Sequence, residues 1–200
     1  EITGNNISAF QANSIAKSTT GVVTAKVEGS AALLNSSLKD AKSTDNLTLT
    51  VSAGTVAASD LKALDAKTSE VVTATGVTGI TGNAADVKTV LAATTIDTAQ
   101  NVDVKVTGTV SAADANTIAK ATDGIVTATV AAGTAASLKA ALTDVTATDA
   151  LKLKVTGTAT VADLLALDGK TLIAVDAKSV TAITGTAADV KTVVESADIS

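Results

Sequence analysis

The sequence contains no cysteine, histidine, proline, arginine, tryptophan, tyrosine or methionine, and one phenylalanine, Phe10. Each absence removes a class of function. Histidine, cysteine and tyrosine supply most general bases, nucleophiles and transition-metal ligands, so little catalytic equipment is left and the chain is not expected to be an enzyme. Without aromatic rings there is no platform for stacking bases, and 15 lysines against 20 acidic residues give a net charge of -5; a nucleic-acid partner is therefore not expected. The lack of cysteine rules out a disulfide framework and fits either a reducing or an oxidising compartment. Mean hydropathy is +0.39, yet Lys, Asp or Thr interrupts the apolar residues every few positions, and no run reaches the ~18 to 20 apolar residues of a membrane span. No initiator methionine, signal peptide or sorting motif is present, which suggests a window within something longer, or a processed product.

What remains is 46% hydrophobic, drawn almost wholly from Ala, Val, Leu and Ile. Small branched side chains suit narrow layers that must each repeat the volume of the last. The sequence also repeats itself at an offset of 103 or 104 residues. Ser8–Lys17 (SAFQANSIAK) lies over Ser111–Lys120 (SAADANTIAK), Gly21–Val27 over Gly124–Val130, and Ile80–Val90 (ITGNAADVKTV) over Ile183–Val193 (ITGTAADVKTV). A fixed self-offset marks a repeat architecture. The expected organisation is two tandem copies, residues 1–104 and 105–200, each of about four shorter units.

The shorter unit is marked by a Val or Ile that closes a strand-like run: Ile2, Val27, Val51, Ile80, Val106, Val130, Val155 and Ile183, spaced by 24 to 29 residues. Alternation such as Val102, Val104, Val106 against Asp103 and Lys105, or Leu151, Leu153, Val155 against Lys152 and Lys154, predicts strands. Val104, Val106, Val130, Leu153, Val155, Leu164, Val190 and Val193 should be buried, with Lys105, Lys152, Lys154 and Thr127 facing solvent. Segments such as Thr186–Glu195 carry apolar residues at helical spacing. Thr186 with Asp189, Thr160 with Asp163, Ser111 with Asp114 and Asn83 with Asp86 have the spacing of an N-cap and the third helical position, so these acids read as helix-start residues. Glu70–Ala74 and Thr171–Val175 should add short strands. The expected fold is an α/β repeat solenoid of strand, turn and short helix with a parallel sheet, like a leucine-rich repeat. Right-handed crossovers and ~4.8 Å per strand would make eight units a rod on the order of 40 Å long.

Motifs with chemistry are sparse. Ser14–Lys17 and Ser36–Lys39 match S-x-x-K, but the first becomes Thr117–Lys120 in the second copy and the companion motifs of serine acylases are missing. Gly76, Gly79 and Gly82 follow no phosphate-binding pattern and suggest turns or bulges. The loops around Asp45, Asp123 and Asp168 combine hard oxygen ligands with turn residues, which makes Ca²⁺ the one metal candidate, though no complete Ca²⁺ loop is present. No other cofactor is expected. Outward threonines (Thr48 with Thr50, Thr73 with Thr75, Thr127 with Thr129) could form ranks like those of ice-binding solenoids, but Lys26, Lys105, Lys152 and Lys154 interrupt them. The sequons at Asn6, Asn35 and Asn46 lie in the first copy only.

The repeat style of Val126–Val130 (VTATV), Lys105–Thr109 (KVTGT) and Gly185–Val193 (GTAADVKTV) resembles the tandem arrays of giant bacterial surface proteins: S-layer proteins, fibre subunits and adhesin stalks, often cyanobacterial or marine. That resemblance implies an extracellular or cell-surface location, a structural role and sometimes Ca²⁺, although the Gly-Asp ligand motif of β-roll members is missing. The expected function is structural, as part of an extracellular filament, sheath or surface layer that self-associates. The alternative is an adhesin-type module binding a glycan, mineral, ice or cell surface. Glu1–Gly4 aligns with Lys105–Gly108, at the end of a strand, and Ala197–Ser200 aligns with Thr94–Asp97, expected to be linker, so the stack is expected to continue beyond both.

Overall fold

The computed structural model describes residues 6–200; Ile2 and Glu1–Gly4, expected to end a strand, lie outside the described residues. The protein is α/β, with strands and short helices alternating along the chain and every strand pairing parallel. It divides into two compact units, Glu1–Asp103 and Val104–Ser200.

The first unit holds α1 (Ala9–Ser18), β1 (Thr24–Gly29), α2 (Ala31–Ser37), β2 (Asn46–Val51), β3 (Gly54–Ala57), α3 (Ala58–Asp65), β4 (Val72–Ala74), β5 (Val77–Gly82), α4 (Ala84–Ala92) and β6 (Ile96–Thr98). Strands β1, β2, β4 and β6 pair side by side, and β3 pairs with β5. The second unit holds β7 (Asp103–Val110), α5 (Ala112–Lys120), β8 (Val126–Val130), α6 (Ala135–Ala141), β9 (Ala150–Lys152), β10 (Lys154–Thr160), α7 (Val161–Asp168), β11 (Asp176–Thr184) and α8 (Ala187–Val194). There β8 lies between β7 and β9, while β10 and β11 form a separate pair.

Neighbouring strands step by 20 to 24 residues, as in Val110 beside Val130, Thr24 beside Asn46, Val72 beside Ile96 and Thr127 beside Ala150. The strand-closing residues expected from the sequence drift from this register: β1 and β2 pair end to end, yet Val27 pairs with Leu49, and Val51 faces Gly29. Alternation sends Ala25 and Val27, Leu47, Leu49 and Val51, and Val126, Ala128 and Val130 inward. Against them each helix turns one stripe: Ala58, Leu61 and Leu64 from α3, Val161, Leu164 and Leu167 from α7. The inward residues are nearly all Ala, Val, Leu and Ile, small branched side chains that pack closely.

The helix starts follow the sequence closely. Asn83, Ser111, Thr160 and Thr186 are N-caps whose side chains accept from the backbone N–H of Asp86, Asp114, Asp163 and Asp189, each contact worth about 1 kcal/mol. Ser8 with Gln11 forms a full capping box, and Ser30 and Thr134 cap α2 and α6. Gly108 and Gly157, in the shared KVTGT stretch, take φ of +76° where the register of β7 and β10 shifts, a conformation open to glycine and costly to other residues.

Five expectations change. The 151–155 run is two strands, because Leu153 passes its carbonyl to Asp176 N–H and the chain switches from β8 to β11 as partner. Glu70–Ala74 does yield a strand, β4, whereas in Thr171–Val175 only Val175 forms a bridge, to Ile199. Ala197–Ser200 is therefore not plain linker: Ile199 is buried and hydrogen bonds tie Val175 and Ala177 to Asp198 and Ser200. Val190 is half-exposed, on a face of α8 that stays open, and Thr127 is half-buried because Lys105 and Ala150 flank it on both sides of a central strand. The other seven residues expected inside are buried, and Lys105, Lys152 and Lys154 are exposed.

Val155 is completely buried, so Val155→Asp should cost about 3 to 5 kcal/mol, since a carboxylate would be stranded among apolar groups. Denaturant melts of the purified variant measure this, and an unchanged midpoint would contradict the layered core.

Candidate functional site

The most organised polar chemistry lies at the entrances to the strands. In the first unit Asp45 is 2% exposed. One carboxylate oxygen accepts from Val23 N–H (2.9 Å), which precedes β1, and the other from Lys42 N–H (2.8 Å), in its own turn. Its carbonyl accepts from Ser69 N–H (2.8 Å), ahead of β4. One buried residue thus joins the backbones that lead into three adjacent strands. In the second unit Asp149 makes the same contacts: Val126 N–H (2.8 Å) and Thr146 N–H (2.9 Å) donate to its carboxylate, and Leu172 N–H (2.8 Å) to its carbonyl. Backbone donors to a carboxylate are strong bonds in a desolvated setting, and they satisfy N–H groups that a strand entrance would otherwise leave orphaned.

A buried threonine completes each arrangement. Thr68 Oγ1 accepts from Leu47 N–H (3.0 Å) and Glu70 N–H (3.0 Å) and donates to Leu47 carbonyl (2.7 Å). Thr171 does likewise with Leu151 N–H (3.0 Å), Ile173 N–H (3.1 Å) and Leu151 carbonyl (2.8 Å). On the helix side, Asn13 binds Asp40 and Asn116 binds Asp144 through paired amide contacts. Lys62 pairs with Asp86, and Lys139 with Asp163 at 2.8 Å. Apart from the local bonds from Lys42, Glu70, Thr146 and Ile173 N–H, these bonds run from one strand-helix segment to the next and hold consecutive segments at fixed spacing.

The Ca²⁺ candidates Asp45, Asp123 and Asp168 have different surroundings. Asp45 spends both oxygens on backbone N–H groups. Asp123 is exposed in its turn, beside a cleft of about 360 Å³ that Lys120, Asp144 and Asp149 also line. Asp168, half-buried at the end of α7, has its pKa pushed up by partial burial and then by the Asp198 carboxylate. Among the described residues no cluster of three or more His, Cys, Asp or Glu side chains is placed to hold a metal ion. In the S-x-x-K stretches Ser14 and Lys17 are exposed on α1, and Ser36 Oγ donates to its own helix at Leu33 carbonyl. No helix among the described residues is long and apolar enough to cross a membrane. Gly76 lies in the turn before β5, Gly79 at a register shift against β3, and Gly82 where a Cβ would come within 3.2 Å of Ala58. No protein-family model, curated protein or solved structure matches the chain.

Asp149 and both threonines escaped the sequence reading. The available signal was the alignment of Thr44-Asp45 with Thr148-Asp149, each two residues ahead of a Leu-x-Leu strand.

Replacing Asp149 by Ala leaves the N–H groups of Val126 and Thr146 unpaired, at about 1 to 3 kcal/mol each. Asp149→Ala should therefore lower stability by about 2 to 5 kcal/mol, and a loss below 1 kcal/mol in urea titration would contradict the assigned role. At Asp163 the hydrogen bond from Lys139, and then that from Thr160, hold the pKa below the usual aspartate range. The folded value is depressed, so this stabilisation is complete above about pH 4 and is lost as pH falls through the folded value. Melting temperature should fall between about pH 4.5 and 2.5 by less in Lys139→Met than in the parent protein; equal falls would show that the pair adds nothing.

Proposed function

We propose that this protein is a structural repeat protein whose strand-helix units are the layers of a leucine-rich-repeat-like solenoid, and that it serves as a self-associating part of an extracellular filament, sheath or surface layer. The observation that carries this reading is where the buried polar residues go: Asp45, Thr68, Asp149 and Thr171 all hold one strand entrance to the next. A chain that invests its buried polar groups in layer spacing gains length and rigidity. The shared tandem-array style and the residue inventory support a mechanical role over catalysis.

A binding module is the second reading, favoured by one groove of about 470 Å³ in the second unit. Its floor is Val130, Leu153 and Ile173, and Lys152, Lys154 and Asp176 edge it. Sugar recognition usually rests on aromatic platforms, which this groove does not have.

Concentrated protein should form unbranched polymers visible by negative-stain electron microscopy, with a repeat of one chain length along the axis. A protein that stays monomeric at millimolar concentration, and that binds a glycan array, would replace the structural reading with the second.

A further inference from the structure

The groove in the second unit, about 470 Å³ in volume, lies where the strands change partners. β9 ends at Lys152 beside β8, β10 begins at Lys154 beside β11, and Leu153 falls between them. β7 and β8 also shift register here: Lys105 pairs with Thr127, but Thr109 with Thr129. Val130 and Leu153, only 3% and 2% exposed, form the floor with half-buried Ile173. At the edge, Lys152 and Lys154 are exposed, and among the described residues neither joins an ion pair. Asp176, the register partner of Lys154, accepts from Lys178 N–H (3.1 Å) with one carboxylate oxygen. Two unpaired ammonium groups and one carboxylate leave the rim positive in a chain of net charge -5.

The two copies share the framework at this place and differ in what it carries. Asp45 and Thr68 hold the strand entrances of the first copy as Asp149 and Thr171 hold those of the second. The residues aligned with Lys152, Lys154 and Ile173 are Thr48, Thr50 and Glu70, with Lys26 at the place of Thr129 and Thr73 at that of Asp176. β2 runs unbroken through its stretch, Asn46–Val51. Layer spacing therefore needs neither the two lysines nor the isoleucine, nor the break at Leu153, since the first copy is held together without them.

We infer that this groove binds a small aliphatic carboxylate, with its chain on Val130, Leu153 and Ile173 and its carboxylate between Lys152 and Lys154. A concave apolar floor with a few polar groups at its edge is the usual form of a small-ligand site, and several hundred Å³ is its usual size. A floor without an aromatic ring favours an aliphatic chain over a sugar. The unpaired lysines favour an anionic head, which they meet with charge-assisted hydrogen bonds. The site is separate from the structural role proposed above, and neither depends on the other.

Amide NMR shifts of the full chain titrated with butyrate, hexanoate, octanoate and the neutral analogue 1-hexanol test it, with circular dichroism as a check on folding. Hexanoate should move the amides of Lys152, Leu153, Lys154 and Ile173 and leave those of Thr48, Leu49, Thr50 and Glu70 in place. Affinity should rise by about tenfold for each two carbons added to the chain, and hexanoate should bind more tightly than 1-hexanol. Lys152→Gln together with Lys154→Gln should remove that preference. Ile173→Glu, which copies the first unit, should weaken binding by about tenfold or more. Asp176→Asn removes a like charge and should hold or tighten binding; weaker binding would show that Asp176 takes a cationic group, and overturns the assignment. So does octanoate that moves none of these amides at about 10 mM, ten times a millimolar Kd, or that moves both copies alike, and so does 1-hexanol binding as tightly as hexanoate. Should Ile173→Glu fail to fold, the lysine variant and the shifts of the parent protein decide.

Discussion

The structure depends on a buried carboxylate that binds backbone. A parallel sheet assembled from strands 20 to 24 residues apart has no tight hairpin to set its register, so something must align each strand entrance with its neighbour. Asp45 and Asp149 do this by accepting the N–H of the residue entering the preceding strand and passing their own carbonyl to the segment entering the following one. Once the entrances are level, alternation places Ala25 beside Leu47 and Ala128 beside Leu151, and the apolar layers follow. Burying an acid is costly unless it is fully hydrogen-bonded; here two backbone N–H donors meet each carboxylate.

That dependence explains the odd composition. Close packing of short helices on parallel strands favours small branched side chains over an indole or phenol ring. The single ring, Phe10, is 74% exposed. Helices of seven to ten residues are too short to be stable alone; they hold because a side-chain cap satisfies the first turn of every one but α3 and because buried Ala, Leu, Val or Ile side chains pack them on the strands.

Local rules made much of this legible in advance. Caps at Asn83, Ser111, Thr160 and Thr186 are encoded within four residues, and the inward set from Val104 to Leu164 needs only the two periodicities. What escaped depends on distant partners. Asp45 read as a candidate Ca²⁺ ligand in a turn because one of its N–H partners, Val23, is 22 residues away. The break at Leu153 was hidden because alternation continues unbroken through it, and only the change of partner strand divides β9 from β10. Ile199 carries too short a run to read as a strand, and Val190 is partly exposed although its local sequence is that of buried Val87. Identical local signals cannot separate those last two, since exposure is a property of what lies beyond the segment.

Amide hydrogen exchange, resolved by residue, tests the central claim most directly. If buried side chains hold the strand entrances in register, the amides of Val23, Leu47, Val126 and Leu151, which donate to Asp45, Thr68, Asp149 and Thr171, should exchange only when their unit unfolds, with the same free energy as the central amides of β2 and β8. Exchange at these four positions as fast as at the amide of Ala147 in an exposed turn would show that the entrances open freely, and would contradict the account.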